Sequence, residues 1–270
     1  ESPEAKDIAI AAGTATDLDA NKDFGNNYPE ASEWANVTLD YENYNNAQSS
    51  ITGDILAAYA GNVDINAKNA DTDGLDVNGD LLSGSVDFGN GGTWTGRADS
   101  YIDAGTADDY DKHKEFYSPA FSSSIITGGD VEVFMNNGKW FVDGQSWLNT
   151  FKADNTEIYM NAGDTTNPVN SVMIEEMNGS GNTFYMTLDN NNREENSDML
   201  YIKGGNADFD VVVNGVINGL ENVTEENGLR FATVGSGITL SQINVDGYGV
   251  IKGIDGGAFN TNLYVKREAY

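Results

Sequence analysis

The chain has 270 residues, 39% of them hydrophobic, so it can bury a core without disulfide or metal staples. Its 14 Lys and Arg against 43 Asp and Glu give a formal charge of −29, which opposes binding to nucleic-acid phosphates. No Cys is present, which excludes disulfides, thiolate nucleophiles and Cys-held metals, and which suits a chain threaded unfolded through a periplasm.

The beginning, Glu1-Ser2-Pro3-Glu4, has neither a basic region nor an apolar run, so a mature or excised piece is expected. No segment has the apolar length of a membrane helix. Residues 1–50 are weakly patterned, with Trp34–Tyr41 their one good strand, and Asp54–Tyr59 carries a short helix-like period. Elsewhere short alternating runs bounded by Gly, Asn and Asp dominate, and 31 Gly against 4 Pro point to many tight bends. The class expected is all-β.

Self-similarity narrows this. Gly53-Asp54-Ile55-Leu56 recurs as Gly79-Asp80-Leu81-Leu82, an offset of 26 residues. Val63-Asp64-Ile65 recurs as Val86-Asp87-Phe88 after 23, and as Val131-Glu132-Val133 after a further 45, close to two such periods. Glu157-Ile158-Tyr159, 26 beyond Val131, joins as a degenerate copy. Phe88–Trp94 also matches Phe134–Trp140 as strand, Gly/Asn turn and Trp. Repeats of this length predict the coils of a β-solenoid, since one coil buries its apolar face only when the next stacks on it. The polar stretch 97–118 lacks the pattern and is expected to protrude as a loop.

The C-terminal third adds strands at Thr183–Leu188 and Gly228–Val234, the latter with Leu229, Phe231 and Thr233 on one face. The series Asn182–Asp189, then Ser197-Asp198-Met199-Leu200-Tyr201-Ile202, Gly204-Gly205, Gly228–Val234 and finally Tyr264-Val265 with Glu268 and Tyr270 resembles the C-terminal region of pertactin-like autotransporter passengers. The resemblance spans about residues 50–270 and is strongest over 181–270. It implies a right-handed parallel β-helix with a C-terminal autochaperone cap, exported through an outer-membrane β-barrel of its own. Residues 1–180 are then passenger coils and 181–270 the cap, whose folding nucleus would be Phe184, Met186, Leu188, Leu200, Ile202, Leu229 and Phe231. The expected place is the bacterial cell surface, outside the outer membrane. The expected role is a non-enzymatic stalk or adhesin in biofilm and virulence, whose partners are surface glycans or proteins of host or bacterium, or other copies of itself.

Residue chemistry fits a non-enzyme. His113 is the one His and lies in the polar stretch, while Gly144-Gln145-Ser146-Trp147 lacks the final Gly of a nucleophile elbow and reads as a turn. Paired carboxylates on a β-helix could cleave polysaccharides, and this is the alternative function, but the sequence selects no pair. Asp17–Asp23 and Asp71–Asp76 offer oxygen donors for calcium, with an acidic turn the default, so no cofactor is assigned. Trp94, Trp140 and Trp147 read as packing at coil edges before sugar stacking, and Asn136-Asn137, Asn178 and Asn190–Asn192 as turn residues or Asn ladders. A compact β-sandwich binding module is the third reading.

Overall fold

A short strand buries alternate side chains on one face and leaves its backbone groups unpaired, and stacking coil upon coil answers both needs. The computed structural model describes residues 8–12, 35–40, 49–57, 61–67, 74–98, 130–160, 171–189, 197–217, 231–235, 237–244, 251–252 and 258–259. In chain order the strands are β1 Ile8–Ala12, β2 Ala35–Asp40, β3 Ser50–Thr52, β4 Asp54–Ala57, β5 Gly61–Asn66, β6 Asp76–Asn78, β7 Gly84–Asn90, β8 Thr93–Gly96 and β9 Val131–Asn136. They continue as β10 Lys139–Val142, β11 Ser146–Asp154, β12 Glu157–Tyr159, β13 Ser171–Asp189, β14 Met199–Ile217, β15 Ala232–Val234, β16 Ile238–Asn244, β17 Ile251–Lys252 and β18 Ala258–Phe259.

The main sheet runs β2-β5-β7-β9-β11-β13 along one row and β12-β10-β8-β6-β3 along the next, with β13 passing from one to the other. β14 pairs with β13 and carries β15 and β16. A third row starts with β1 on β4 and continues through the bridges Ile55 to Leu81 and Leu81 to Ala98. These pairings are parallel, whereas a sandwich needs antiparallel sheets, so the compact alternative falls. The protein is a parallel β-helix, and β17–β18 form a separate antiparallel pair.

Coil steps follow the sequence repeat in part. Ser50 pairs with Asp76 and Ile55 with Leu81, so the 26-residue repeat of Gly53–Leu56 is one coil. Ile65, however, pairs with Val86, a step of 21 and not 23. The slip of two keeps the same side chains inward, which is why the alignment by eye misses it. Val86 pairs directly with Val133, so the long offset to Val131–Val133 is one coil step and not two. Glu157 pairs with Lys139, and Glu132 with Thr150, so Glu157–Tyr159 copies β10 and not β9. Asp54–Ala57 is strand, since its tertiary pairing overrides the local helical period.

Two boundaries also move. Arg97 and Ala98 belong to the coil, Ala98 being buried on Leu81, and the rest of the stretch 97–118 lies outside the described residues. The expected division at 180/181 falls inside β13, where Met177 and Phe184 are both fully buried in one continuous core.

The interior is a stack of inward side chains. Val86, Val133 and Phe151 line one row, and Trp94, Trp140, Ile158 and Phe184 the next, all buried. Phe88 lies 5.9 Å from Trp94, and Phe151 lies 5.7 Å from Trp140. Each indole N–H finds a carbonyl 3.0 Å away, Trp94 on Gly79 and Trp140 on Gly96. This needs glycine at the corner, for a Cβ on Gly96 would run into the Gly79 carbonyl oxygen and sit 2.9 Å from the Trp94 indole nitrogen.

Corners are tied by polar side chains that reach the neighbouring coil. Asp54 Oδ1 accepts from the Asp80 amide at 2.9 Å, and Asp80 Oδ1 accepts from the Arg97 amide at 3.2 Å. The Arg97 Nε donates to Asp80 Oδ2 at 3.1 Å, closing the column with a cation. Asn182, fully buried, accepts from the Thr156 amide at 3.0 Å and donates to the Ala153 carbonyl at 2.7 Å. Asn137, with φ of 49°, takes the left-handed turn after β9 and donates to Asn90 Oδ1 at 2.6 Å, a two-rung Asn ladder.

Candidate functional site

Of the residues singled out as a folding nucleus, Phe184, Met186, Leu188, Leu200 and Ile202 are buried in one core. Phe184 meets Phe209 of the next coil edge to face at 5.3 Å and 72°. Phe231 is half-buried against that core, and its carbonyl accepts from the Leu200 amide at 3.0 Å. Leu229 lies outside the described residues. The pairing beneath these side chains is long, since β13 and β14 are 19-residue strands joined from Ser171–Met199 to Asp189–Ile217. Ser197 and Asp198, just before β14, hold the end of β13: Asp198 Oδ2 accepts from the Thr187 amide at 2.6 Å, and Ser197 Oγ from the Asp189 amide at 2.8 Å.

Other flagged residues are placed as follows. Trp94 and Trp140 have 0% exposure, so neither offers a ring face to a sugar, and they pack in the interior and not at coil edges. Ser146 is buried, donates to the Gly144 carbonyl at 3.0 Å and accepts from the Ala98 amide at 3.2 Å, as a turn residue does. Asp76 Oδ1 accepts from the Thr93 amide at 3.2 Å. Asp17–Asp23, Asp71–Asp73, His113 and Asn190–Asn192 lie outside the described residues.

The distinctive outward feature is a column that the sequence reading did not single out. Phe141 of β10, Tyr159 of β12 and Tyr185 of β13 occupy one register position on consecutive coils. Their rings stack, Phe141 on Tyr159 at 5.0 Å and 12°, Tyr159 on Tyr185 at 4.5 Å and 6°. Two residues earlier along each strand a polar column runs beside them, in which Lys139 Nζ meets Glu157 Oε2 at 2.9 Å. The Tyr159 hydroxyl donates to the same carboxylate oxygen at 3.0 Å.

These contacts set the electrostatics. The Lys139 hydrogen bond, against the opposing effect of burial and with help from Tyr159, holds the Glu157 carboxyl below its ordinary value. Burial, then the hydrogen bond to Glu157, pushes the Tyr159 phenol up to about 12. A sugar stacks on a ring's face, but here Tyr159 gives both faces to its neighbours, so the column presents edges and phenolic oxygens. The signal was present in the sequence as a recurring triplet of polar, apolar and aromatic residue: Lys139-Trp140-Phe141, Glu157-Ile158-Tyr159, Thr183-Phe184-Tyr185.

No protein-family model matches the chain, and no curated protein matches it.

Proposed function

We propose that this chain is a non-enzymatic β-solenoid stalk of an autotransporter passenger, displayed outside the bacterial outer membrane through its own β-barrel, whose C-terminal coils seed the folding of those upstream. The observation that carries this reading is the pairing of β13 with β14 along two 19-residue strands. A solenoid coil has little stability until a neighbour covers it, so folding starts where two coils share the longest interface and spreads outward. In a chain that emerges C-terminus first, that template is available before β2 to β10 arrive. The partners on this reading are surface glycans or proteins of host or bacterium, or other copies of the stalk, and not nucleic acid, which the charge of −29 repels.

Pulsed hydrogen exchange during refolding of the purified chain tests the seeding. Amides of β13 and β14 should gain protection before those of β5 and β7, and simultaneous or reversed protection would remove the seeding role. Sedimentation and surface binding of cells displaying the full-length protein, against cells that lack it, test the adhesive role, which equal behaviour would refute.

A further inference from the structure

Tyr159 and Tyr185 stand on consecutive coils as a register pair, with ring centroids 4.5 Å apart and planes 6° from parallel. The Tyr159 phenol donates to the Glu157 carboxylate, and both tyrosines are half-buried. Phe141, on the other face of Tyr159, has no hydroxyl, and the stacked Trp94 and Trp140 are shut inside. The chain has no Cys with which to join one coil to another.

We propose that Tyr159 and Tyr185 are an oxidative modification site, at which hydrogen peroxide, acting through a haem peroxidase or another one-electron catalyst, joins the two rings by a carbon–carbon bond and staples adjacent coils. Each phenol gives up one electron to the oxidant and its hydroxyl proton to solvent, that of Tyr159 by way of the Glu157 carboxylate. The two phenoxyl radicals couple through ring carbons ortho to oxygen. Each of those carbons then loses its hydrogen as a proton while the phenol oxygen regains one, restoring both aromatic rings. In sum, two phenols and one peroxide give one dityrosine and two waters, and the protein loses two hydrogen atoms. Face-to-face stacking brings the ortho carbons of the two rings together, which a solvent-exposed pair of tyrosines achieves only in rare encounters. The bond also closes the intervening chain into a loop in the unfolded state, as a disulfide would.

The test treats dilute purified protein with peroxidase and hydrogen peroxide, then maps digested peptides by mass spectrometry. A monomer lighter by two hydrogens, with the link between Tyr159 and Tyr185 and dityrosine fluorescence, is expected. Its thermal midpoint should rise by about 5–10 °C. Tyr159→Phe and Tyr185→Phe keep the ring stack, and therefore the far-UV circular dichroism, but each should abolish the link. Glu157→Gln removes the proton acceptor and should slow coupling by about tenfold or more; an unchanged rate would overturn the part assigned to Glu157. Absence of the link, links only between other tyrosines or between chains, or an equal rate in the urea-unfolded chain would each overturn the site.

Discussion

The indole rings of Trp94 and Trp140 lie parallel, 4.5 Å between centroids and 5° between planes, at one register position on adjacent coils although a long stretch of chain separates them. Removing either ring empties a fully buried site and strips a partner from the other. Trp140→Ala should therefore cost about 3–5 kcal/mol in urea denaturation. Trp140→Phe keeps most of the volume and an aromatic ring against Trp94, so it should lower stability by less than Trp140→Ala; an equal loss in the two variants would mean the rings are not stacked as described.

The same pair bears on the step between coils. Gly84 pairs with Val131 and Ala98 stacks on Leu81, so the coil closes in register on both sides of residues 99–129. In the coil before, Leu82 and Ser83 alone connect the position of Leu81 to Gly84. Deleting residues 100–129 leaves Asp99 and Asp130 as a linker of equal length. The shortened protein should keep its far-UV spectrum, and its thermal midpoint should match or slightly exceed the parent's, since a shorter connection costs less closure entropy. Loss of cooperative melting would show that those residues are needed for the coils.

What the sequence disclosed, and what it hid, follows from period two. The strand at Ala35–Asp40, the Gly53 and Gly79 repeats and the inward set Phe184, Met186 and Leu188 were readable because alternation marks which side chains turn inward. Register was not readable, because sliding β5 by two residues against β7 leaves that alternation unchanged. Nor was the place of Glu157–Tyr159, where apolar Ile158 resembles any inward residue and only the three-dimensional pairing with Trp140 separates one row from the next. The outward column of Phe141, Tyr159 and Tyr185 was hidden for the same reason: its members stand side by side only once each coil's row is known.

Asn182 is a polar group whose worth lies in being fully satisfied. It has no exposure, accepts from the Thr156 amide and donates to the Ala153 carbonyl. Asn182→Leu would leave a buried amide and a buried carbonyl each short of one partner, at a cost of about 2–4 kcal/mol. Asn182→Asp keeps the shape and the acceptor but places an oxygen against the Ala153 carbonyl oxygen, so it should destabilise more at pH 7 than near pH 3, where a protonated carboxyl can donate. Chemical denaturation of both variants at the two pH values checks the ordering.

The cluster of Lys139, Glu157 and Tyr159 predicts opposite pH limbs. Glu157 has a folded pKa below its unfolded one, chiefly through the Lys139 hydrogen bond, so the stability it contributes is fully present above the ordinary carboxylate range and is lost as pH falls through the folded value. Tyr159 is raised to about 12, so the unfolded chain ionises first, and its contribution is present below about pH 10 and lost as pH climbs toward 12. The acidic chain loses stability at both extremes for other reasons too, which makes the difference from a variant the informative quantity. Subtracting the Glu157→Gln profile should leave a step on the acid side, and subtracting Tyr159→Phe a step between about pH 10 and 12. Phenolate absorbance of the wild type should include a late step from Tyr159, and that step should be missing from Tyr159→Phe. In Glu157→Gln it should move to lower pH, because the neighbouring negative charge that opposes phenolate formation is gone. A late step that stays in place would mean burial alone raises Tyr159, and that its bond to Glu157 contributes little.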